Sequence, residues 1–298
     1  MNGLTSRAEE LQRNRAAYVH ARVVVAEKPT SAKPGAEALV LADGTIEGFV
    51  GGACAESTVR AQALALLDSG ESLLLRITPE AEPPRPGSLT VHNPCLSGGT
   101  LEIFLEPVIP APLVVVVGDA PIARAVLALA GPLGHDGRPY AGVLPSDTAA
   151  VVIASHGRDE EGVLADALRA HIPYVGLVAS RKRGEAVLAS LDLCSSMTAR
   201  VHTPAGLDIG ARTPQEVALS ILAEIISTRP RQSGRPVAES PAGDLAAAVP
   251  DSAIDPVCGM RVVMVDASLH LDHDGSRYWF CGSGCLRAFA ADPSAYIS

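Results

Sequence analysis

The six cysteines of this 298-residue chain fall into groups by the chemistry their neighbours allow. Cys258, Cys281 and Cys285 lie close to one another near the C-terminal side. Cys281 and Cys285 are four positions apart, so the start of a helix can put both sulfurs on one side, and a hairpin can bring Cys258 to them. Three thiolates are one ligand short of a closed tetrahedral zinc site; His270, His273 or a second chain could supply the fourth, or the position stays open. Cys54 has a different setting. It follows Gly51-Gly52 at the point where an apolar strand (45–50) turns into a helix, so it falls in the first helical turn. Unpaired backbone N–H groups and the positive end of the helix dipole there favour an anion, either a bound phosphate or the Cys54 thiolate itself. Cys95 occupies a second cysteine–glycine loop with Gly98 and Gly99, but it is flanked by proline and no clear helix follows. Cys194, on the run after a helix, has neither feature. Cys54 is therefore the thiol whose thiolate is best stabilised by its setting.

The elements that must hold these residues read as α/β. Residues 5–17 suit an amphipathic helix, and strands follow at 18–26, 36–42, 45–50 and 71–77, with Asp43-Gly44 as a hairpin turn. The loop Glu27 to Gly35 carries hydroxyls, lysines and two prolines and could bind an anion. A strand of alternating polarity, Leu101 to Pro107, completes a mixed unit over 1–106. After a proline-rich linker, Leu113 to Val117 is a continuous apolar run of the kind a buried parallel strand shows. It opens a Rossmann-like domain over 113–228. Only Gly118 of the usual dinucleotide fingerprint is present; Asp136 has roughly the right spacing, but Gly131 to His135 ahead of it cannot be a strand. Strands at 149–154 and 174–179 end in loops carrying His156 and Ser180-Arg181-Lys182-Arg183, at the carboxyl ends where such sheets bind ligands. Consecutive cations there would suit a phosphate. Thr213 with Glu216 forms a capping box for a helix from 214 to about 227. Residues 229–253 have the composition of a flexible tether, and 254–298 read as a separate small module that needs a metal staple.

A net charge of -9 argues against general nucleic-acid binding, which relies on a basic surface. The N-terminal segment is polar where a signal peptide would be apolar, and no apolar run approaches membrane-spanning length. Cysteines spread over a chain of this size point to thiol or metal chemistry in a reducing compartment, so a cytoplasmic location is expected. No nucleophile–base pair is evident, which favours a carrier without turnover of its own.

Three stretches resemble one known family. TSAKPG, ADGTIEGFVGG and CAES, with NPCLSGGTLEIFLEP, are similar to the N-terminal domain of the XdhC/CoxI proteins. VVGDAPIA, ASHGRDEE, PYVGLVASRKR and PAGLDIGARTPQEVALSILAEI resemble that family's Rossmann domain, and 254–298 resembles YHS domains, small cysteine-containing modules associated with metals. The CAES variant, which includes Glu56, matches the CoxI-like branch. The resemblance implies an accessory protein that binds the molybdenum cofactor, in mononucleotide or cytosine dinucleotide form, supports its sulfuration and delivers it to a molybdenum hydroxylase of xanthine dehydrogenase or carbon monoxide dehydrogenase type. It implies the client enzyme as partner, with a cysteine desulfurase and a second copy of the chain as further candidates. Gly51, Gly52, Cys54, Glu56, Cys95, Gly98, Gly99, Gly118, His156, Arg181 and Lys182 would then contact the cofactor, while Cys258, Cys281 and Cys285 hold zinc or another transition metal. A nucleotide-dependent oxidoreductase, or a metal sensor or delivery protein acting through the terminal module, are the alternatives. One departure stands out: between the helix ending near Leu133 and the strand at 149 only a short element fits, so the Rossmann sheet is expected to be trimmed at that edge.

Overall fold

The computed structural model describes residues 3–93, 99–155, 157, 160–229 and 251–297. It divides into two compact units, Met1–Pro110 with Gln232–Ser298, and Ala111–Arg231.

The first unit opens with helix α1 (Gly3–Arg13) and strands β1 (Tyr18–Ala26), β2 (Glu37–Leu41) and β3 (Ile46–Gly48). Helix α2 (Ala53–Ser69) and strands β4 (Leu73–Thr78), β5 (Leu89–His92) and β6 (Leu101–Val108) follow. The six strands form one sheet in the order β3-β2-β1-β6-β4-β5. Its pairings are antiparallel except β4 with β5. Alternation decides which face is buried: Val19, Ala21 and Val23 of β1 and Leu101, Ile103 and Leu105 of β6 point to the same core. That core is closed by Ala55, Val59, Ala63 and Leu66, which recur at helical spacing along α2. Leu11 of α1 covers a smaller cluster with Tyr18 and Leu39.

The C-terminal segment belongs to this same unit. Strand β12 (Ser252–Ile254) pairs with β13 (Arg261–Val263), and β14 (Leu269–His273) pairs with β15 (Ser276–Phe280), ahead of helix α8 (Ser283–Ala291). The sequence reads as a separate module behind a tether to 253, yet β12 begins within that stretch; residues 230–250 lie outside the described part. The cause of the association is apolar burial. Val263, 1 % exposed, packs on Ala61 and Leu64 of α2, the outward face that the sheet leaves uncovered. Within the module, Phe289 of α8 is fully buried among the rings of Tyr278, Phe280 and Tyr296.

The second unit is doubly wound. Strands β7 (Leu113–Val117), β8 (Asp136–Pro139), β9 (Thr148–Ile153), β10 (Tyr174–Leu177) and β11 (Val201–His202) form a parallel sheet in the order β11-β10-β9-β7-β8. All five residues of β7 are buried, as its uninterrupted apolar run requires. Helices α3 (Pro121–Ala130) and α7 (Pro214–Thr228) cover one face; α4 (Glu160–Arg169) and α5 (Arg181–Ser190) cover the other. A short helix, α6 (Ser195–Thr198), precedes β11. The edge is short: β8 is four residues long, and among the described residues no helix joins it to β9. Asp136 opens β8, registered with Leu113 at the start of β7, and its carboxylate lies 2.8 Å from Arg138. It is therefore at the opposite end of the sheet from Gly118, which leaves it no role as a ribose-binding carboxylate beside that turn. No helix of the described residues is long and apolar enough to cross a membrane.

Candidate cofactor cleft and thiol cluster

In the first unit, a cleft of about 140 Å³ is walled by Thr30, Ser31, Gly52, Cys54, Asn93 and Gly99, among others. Gly51 has φ +148 and lies against Ala55, so the strand can turn into α2 in minimal space. Gly52 is the N-cap of α2 and offers no side chain to its first-turn N–H groups. A helix start without a side-chain cap is open to an anion. Cys54 lies in that turn. Its backbone is pinned: the carbonyl accepts from Asn93 Nδ2 at 3.1 Å and from Thr58 Oγ1 at 3.2 Å. These bonds fix the orientation of the Asn93 amide, because a carbonyl can only accept. Asn93, 4 % exposed, is left with an Oδ1 that has no partner among the described residues. An unsatisfied buried acceptor beside a cleft is a reason to expect a donor from a ligand. Glu56, in the same helical turn, is not part of the cleft wall; burial raises its carboxyl, against the lowering effect of Arg60. Gly99 does line the cleft, whereas Cys95 and Gly98 lie outside the described residues.

The cysteine cluster sits beside the same helix start. The ligand atoms of Asp255, Cys258, Cys281 and Cys285 all lie within 4.8 Å of one another, a set that can hold a metal ion. The Sγ of Cys258 is 3.4 Å from that of Cys281, which is 3.7 Å from that of Cys285. The turn after β12 delivers Cys258, and the junction of β15 with α8 delivers the other two, with Gly282 as the helix N-cap. The fourth member differs from expectation. His270 donates from Nδ1 to the Ser268 carbonyl at 2.9 Å and packs on Trp279, while His273 lies 3.4 Å from Asp274 and edge-on to Phe289. Asp255, fully buried, occupies the place instead, and its two oxygens accept from the N–H groups of Val257 (2.9 Å) and Cys281 (2.8 Å). The signal was present in Asp255-Pro256-Val257, since an aspartate closing on the N–H two residues on is a turn former. The neighbouring Cys54, burial, Cys258 and Asp255 push the Cys281 thiol up; burial first, then Cys258 and Asp255, push the Cys285 thiol up to about 12. Such a crowd of sulfur and carboxylate donors suits a thiophilic cation.

In the second unit, a cleft of about 630 Å³ opens at the carboxyl ends of the strands, among Ser180, Arg181, Arg183, Gly206, Asp208 and Ile209. Arg181 lines it; Lys182 is exposed on the same first turn of α5. Arg183 is committed elsewhere. It pairs with Glu160, a carboxylate 1 % exposed that also accepts from Gly157 N–H (2.7 Å) and Ser155 Oγ (3.1 Å). Burial alone would raise the Glu160 carboxyl, but those three partners outweigh it and hold it below the usual value. Gly118 follows β7 with φ +102, and a Cβ there would lie 2.5 Å from the Ala154 carbonyl, so the close approach of two strand ends requires glycine. His156 lies outside the described residues. On the far side, Glu224 of α7 accepts from Tyr174 Oη (2.6 Å) and Gly206 N–H (2.8 Å) and contacts His202 Nδ1 (3.1 Å), which fixes the start of the loop that borders the cleft. Sequence reasoning missed Glu160 and Glu224 because isolated acids in helices carry no spacing signal.

Residues 11–78 match the XdhC and CoxI family, 114–225 the XdhC Rossmann domain and 253–298 the YHS domain. An Escherichia coli K12 protein described as uncharacterized protein YqeB is 28% identical over 258 residues, covering 76% of this chain and 46% of the relative. A Bacillus subtilis protein described as a probable xanthine dehydrogenase subunit is 34% identical over 83 residues, covering 28% of this chain and 24% of the relative. The chain thus spans less than half the length of these curated relatives. A crystal structure described as a xanthine dehydrogenase from Bacillus halodurans aligns with a TM-score of 0.36 at 17% identity, over 78% of this chain and 97% of that one. With the three domain matches in chain order over the elements described above, the chain belongs to the XdhC/CoxI family, with an XdhC Rossmann domain and a C-terminal YHS domain.

Proposed function

We propose that this protein binds the molybdenum cofactor, supports its sulfuration and assists its insertion into a xanthine dehydrogenase or carbon monoxide dehydrogenase type molybdenum hydroxylase. The family's association with xanthine dehydrogenase maturation supports the reading. The observation that carries it is Cys54 in the first turn of a helix without a side-chain cap, on the wall of a cleft that Thr30, Ser31 and Asn93 share. When bound, the cofactor supplies a soft metal able to take sulfur. The chain's residues do the rest: the α2 first turn and the Thr30 and Ser31 hydroxyls offer donors to anionic oxygen, Asn93 Oδ1 offers an acceptor, and Cys54 offers sulfur to the metal end. At about 140 Å³ the cleft is smaller than the roughly 300–1,000 Å³ of a pocket that encloses a whole organic ligand, so it is assigned the reactive end alone. The cleft of the Rossmann unit, with Arg181 and Lys182 at its helix start, is assigned by itself to a phosphate-bearing ligand. Client hydroxylase and a cysteine desulfurase are the proposed partners.

The test compares Cys54→Ala and Cys95→Ala with the parent chain for bound molybdenum, pterin fluorescence and activation of the client, with folding checked by circular dichroism. Loss of cofactor in Cys54→Ala is expected. Retention and activation at the parent level in Cys54→Ala would sink the assignment. Steady-state oxidation of a purine or aldehyde by the chain alone would sink the carrier reading. The thiol cluster favours a second reading, a metal sensor or delivery protein; purification with zinc or copper and without pterin would select it.

A further inference from the structure

Cys54 belongs to two places at once. It lines the cofactor cleft, and its side chain also packs into the apolar cluster of Val262, Trp279, Cys281 and Cys285. A side-chain hydrogen bond joins it to Cys281, and its Sγ lies 3.8 Å from where a Cβ on Gly282 would stand. We propose that Cys54 is the fourth thiolate of a composite metal site, Cys54, Cys258, Cys281 and Cys285, built jointly by the first turn of α2 and the C-terminal module.

Asp255 is the competing fourth ligand, and its bonds argue for another role. Each of its oxygens already accepts a backbone N–H, including that of Cys281, so the carboxylate orients the residue carrying the central sulfur. A thiophilic cation held by three sulfurs gains most from a fourth sulfur. Cys54 stands outside the mutual 4.8 Å set, but its backbone is pinned by Asn93 and Thr58. Its side chain already meets that of Cys281, so completing the site asks the sulfur to close further on the other two while the backbone stays fixed. Ligation is not a redox step: each thiol loses its proton to solvent as its sulfur becomes a ligand, and the metal keeps its charge. Metal loading would withdraw Cys54 from the cleft, making the module a metal-dependent gate on that thiol. The inference rests on the reading of Cys258, Cys281 and Cys285 as ligands; it does not require the cofactor.

The experiment uses the full chain with Zn2+ or Co2+ alone. X-ray absorption of the zinc-loaded parent should count about four sulfurs at roughly 2.3 Å. In Cys54→Ala the thiolate-to-cobalt charge-transfer intensity should fall by about a quarter and Co2+ affinity by about tenfold or more. Zn2+ should also slow alkylation of Cys54 by iodoacetamide, with Cys194 as the unprotected control. Three sulfurs in the parent, or an unchanged spectrum in Cys54→Ala, overturns the composite site while leaving the three-cysteine reading intact; absence of any metal binding by the parent overturns both. The sulfur count on the parent decides the matter even where Cys54→Ala folds poorly.

Discussion

Glu160 in the Rossmann unit has a carboxylate that is buried yet accepts from a guanidinium, a hydroxyl and a backbone N–H. Burying a charge is costly unless it is paired and hydrogen-bonded, and here all those conditions are met. Glu160→Gln keeps the shape and loses the charge, so a loss of about 2 kcal/mol is expected by denaturant unfolding of the full chain. The pH dependence has a definite sign. A carboxyl held below its ordinary value stabilises the fold fully above that value, 4.5, and the contribution fades as pH falls through the lower folded value. The parent should therefore lose stability below about pH 4.5 more steeply than Glu160→Gln. Equal acid slopes in the two proteins would show that the Glu160 network contributes nothing. At the C-terminal module the matching residue is Asp255. Asp255→Asn keeps an acceptor for one N–H, misplaces the other and should weaken Zn2+ binding by about 10–100-fold, measured by competition with a chromophoric chelator. Affinity within twofold of the parent would refute its orienting role.

Some helices of this molecule carry side-chain N-caps and others, α3 and α8 among them, do not. Ser180 caps α5 by accepting from Arg183 N–H at 3.4 Å, and Thr213 caps α7 in a full capping box with Glu216. The N-cap of α2 is Gly52, with no side chain, although its φ of -73 and the open space around it would accept one. Gly52→Asp should therefore raise the melting temperature of the first unit, by an amount worth about 0.5 kcal/mol, through a cap and a favourable charge at the helix start. The same carboxylate would repel an anion and reduce molybdenum and pterin content. A variant that is destabilised, or that retains the cofactor fully, would contradict the view that this helix start is left open for a ligand. Elements with an internal signal were legible in the sequence. The apolar run of β7, the alternation of β1 and β6, the Thr213–Glu216 box and the Gly-Gly entry to α2 each carry their own local cause. Strand β8 was hidden because its residues, Asp136 to Pro139, have no strand propensity; parallel pairing with the wholly buried β7 creates it. Asp255 was legible as a turn former, but not its placement beside the sulfurs, which depends on where β15 ends.

At the scale of the molecule, the informative feature is that the C-terminal module and the N-terminal sheet form one compact unit while the Rossmann sheet forms another. The module attaches through Val263 on Ala61 and Leu64 and through the cysteines beside Cys54. No sequence pattern announces this, because the exposed face of an alanine-rich helix looks the same whether solvent or a module covers it. A module of this size buries little apolar area, so metal binding should supply much of its stability. Hydrogen exchange on the full chain then gives a linked expectation. Added Zn2+ should slow exchange throughout 251–297 and also in the first turns of α2, and a chelator should reverse both, with no change in β7 to β11. Val263→Asp places a charge at a site 1 % exposed, so it should break the apolar half of the attachment and abolish the response of α2 while Zn2+ still slows exchange around Cys258, Cys281 and Cys285. A metal response confined to the module in the parent would mean that the attachment is passive packing, with no coupling between the metal and the helix that carries Cys54.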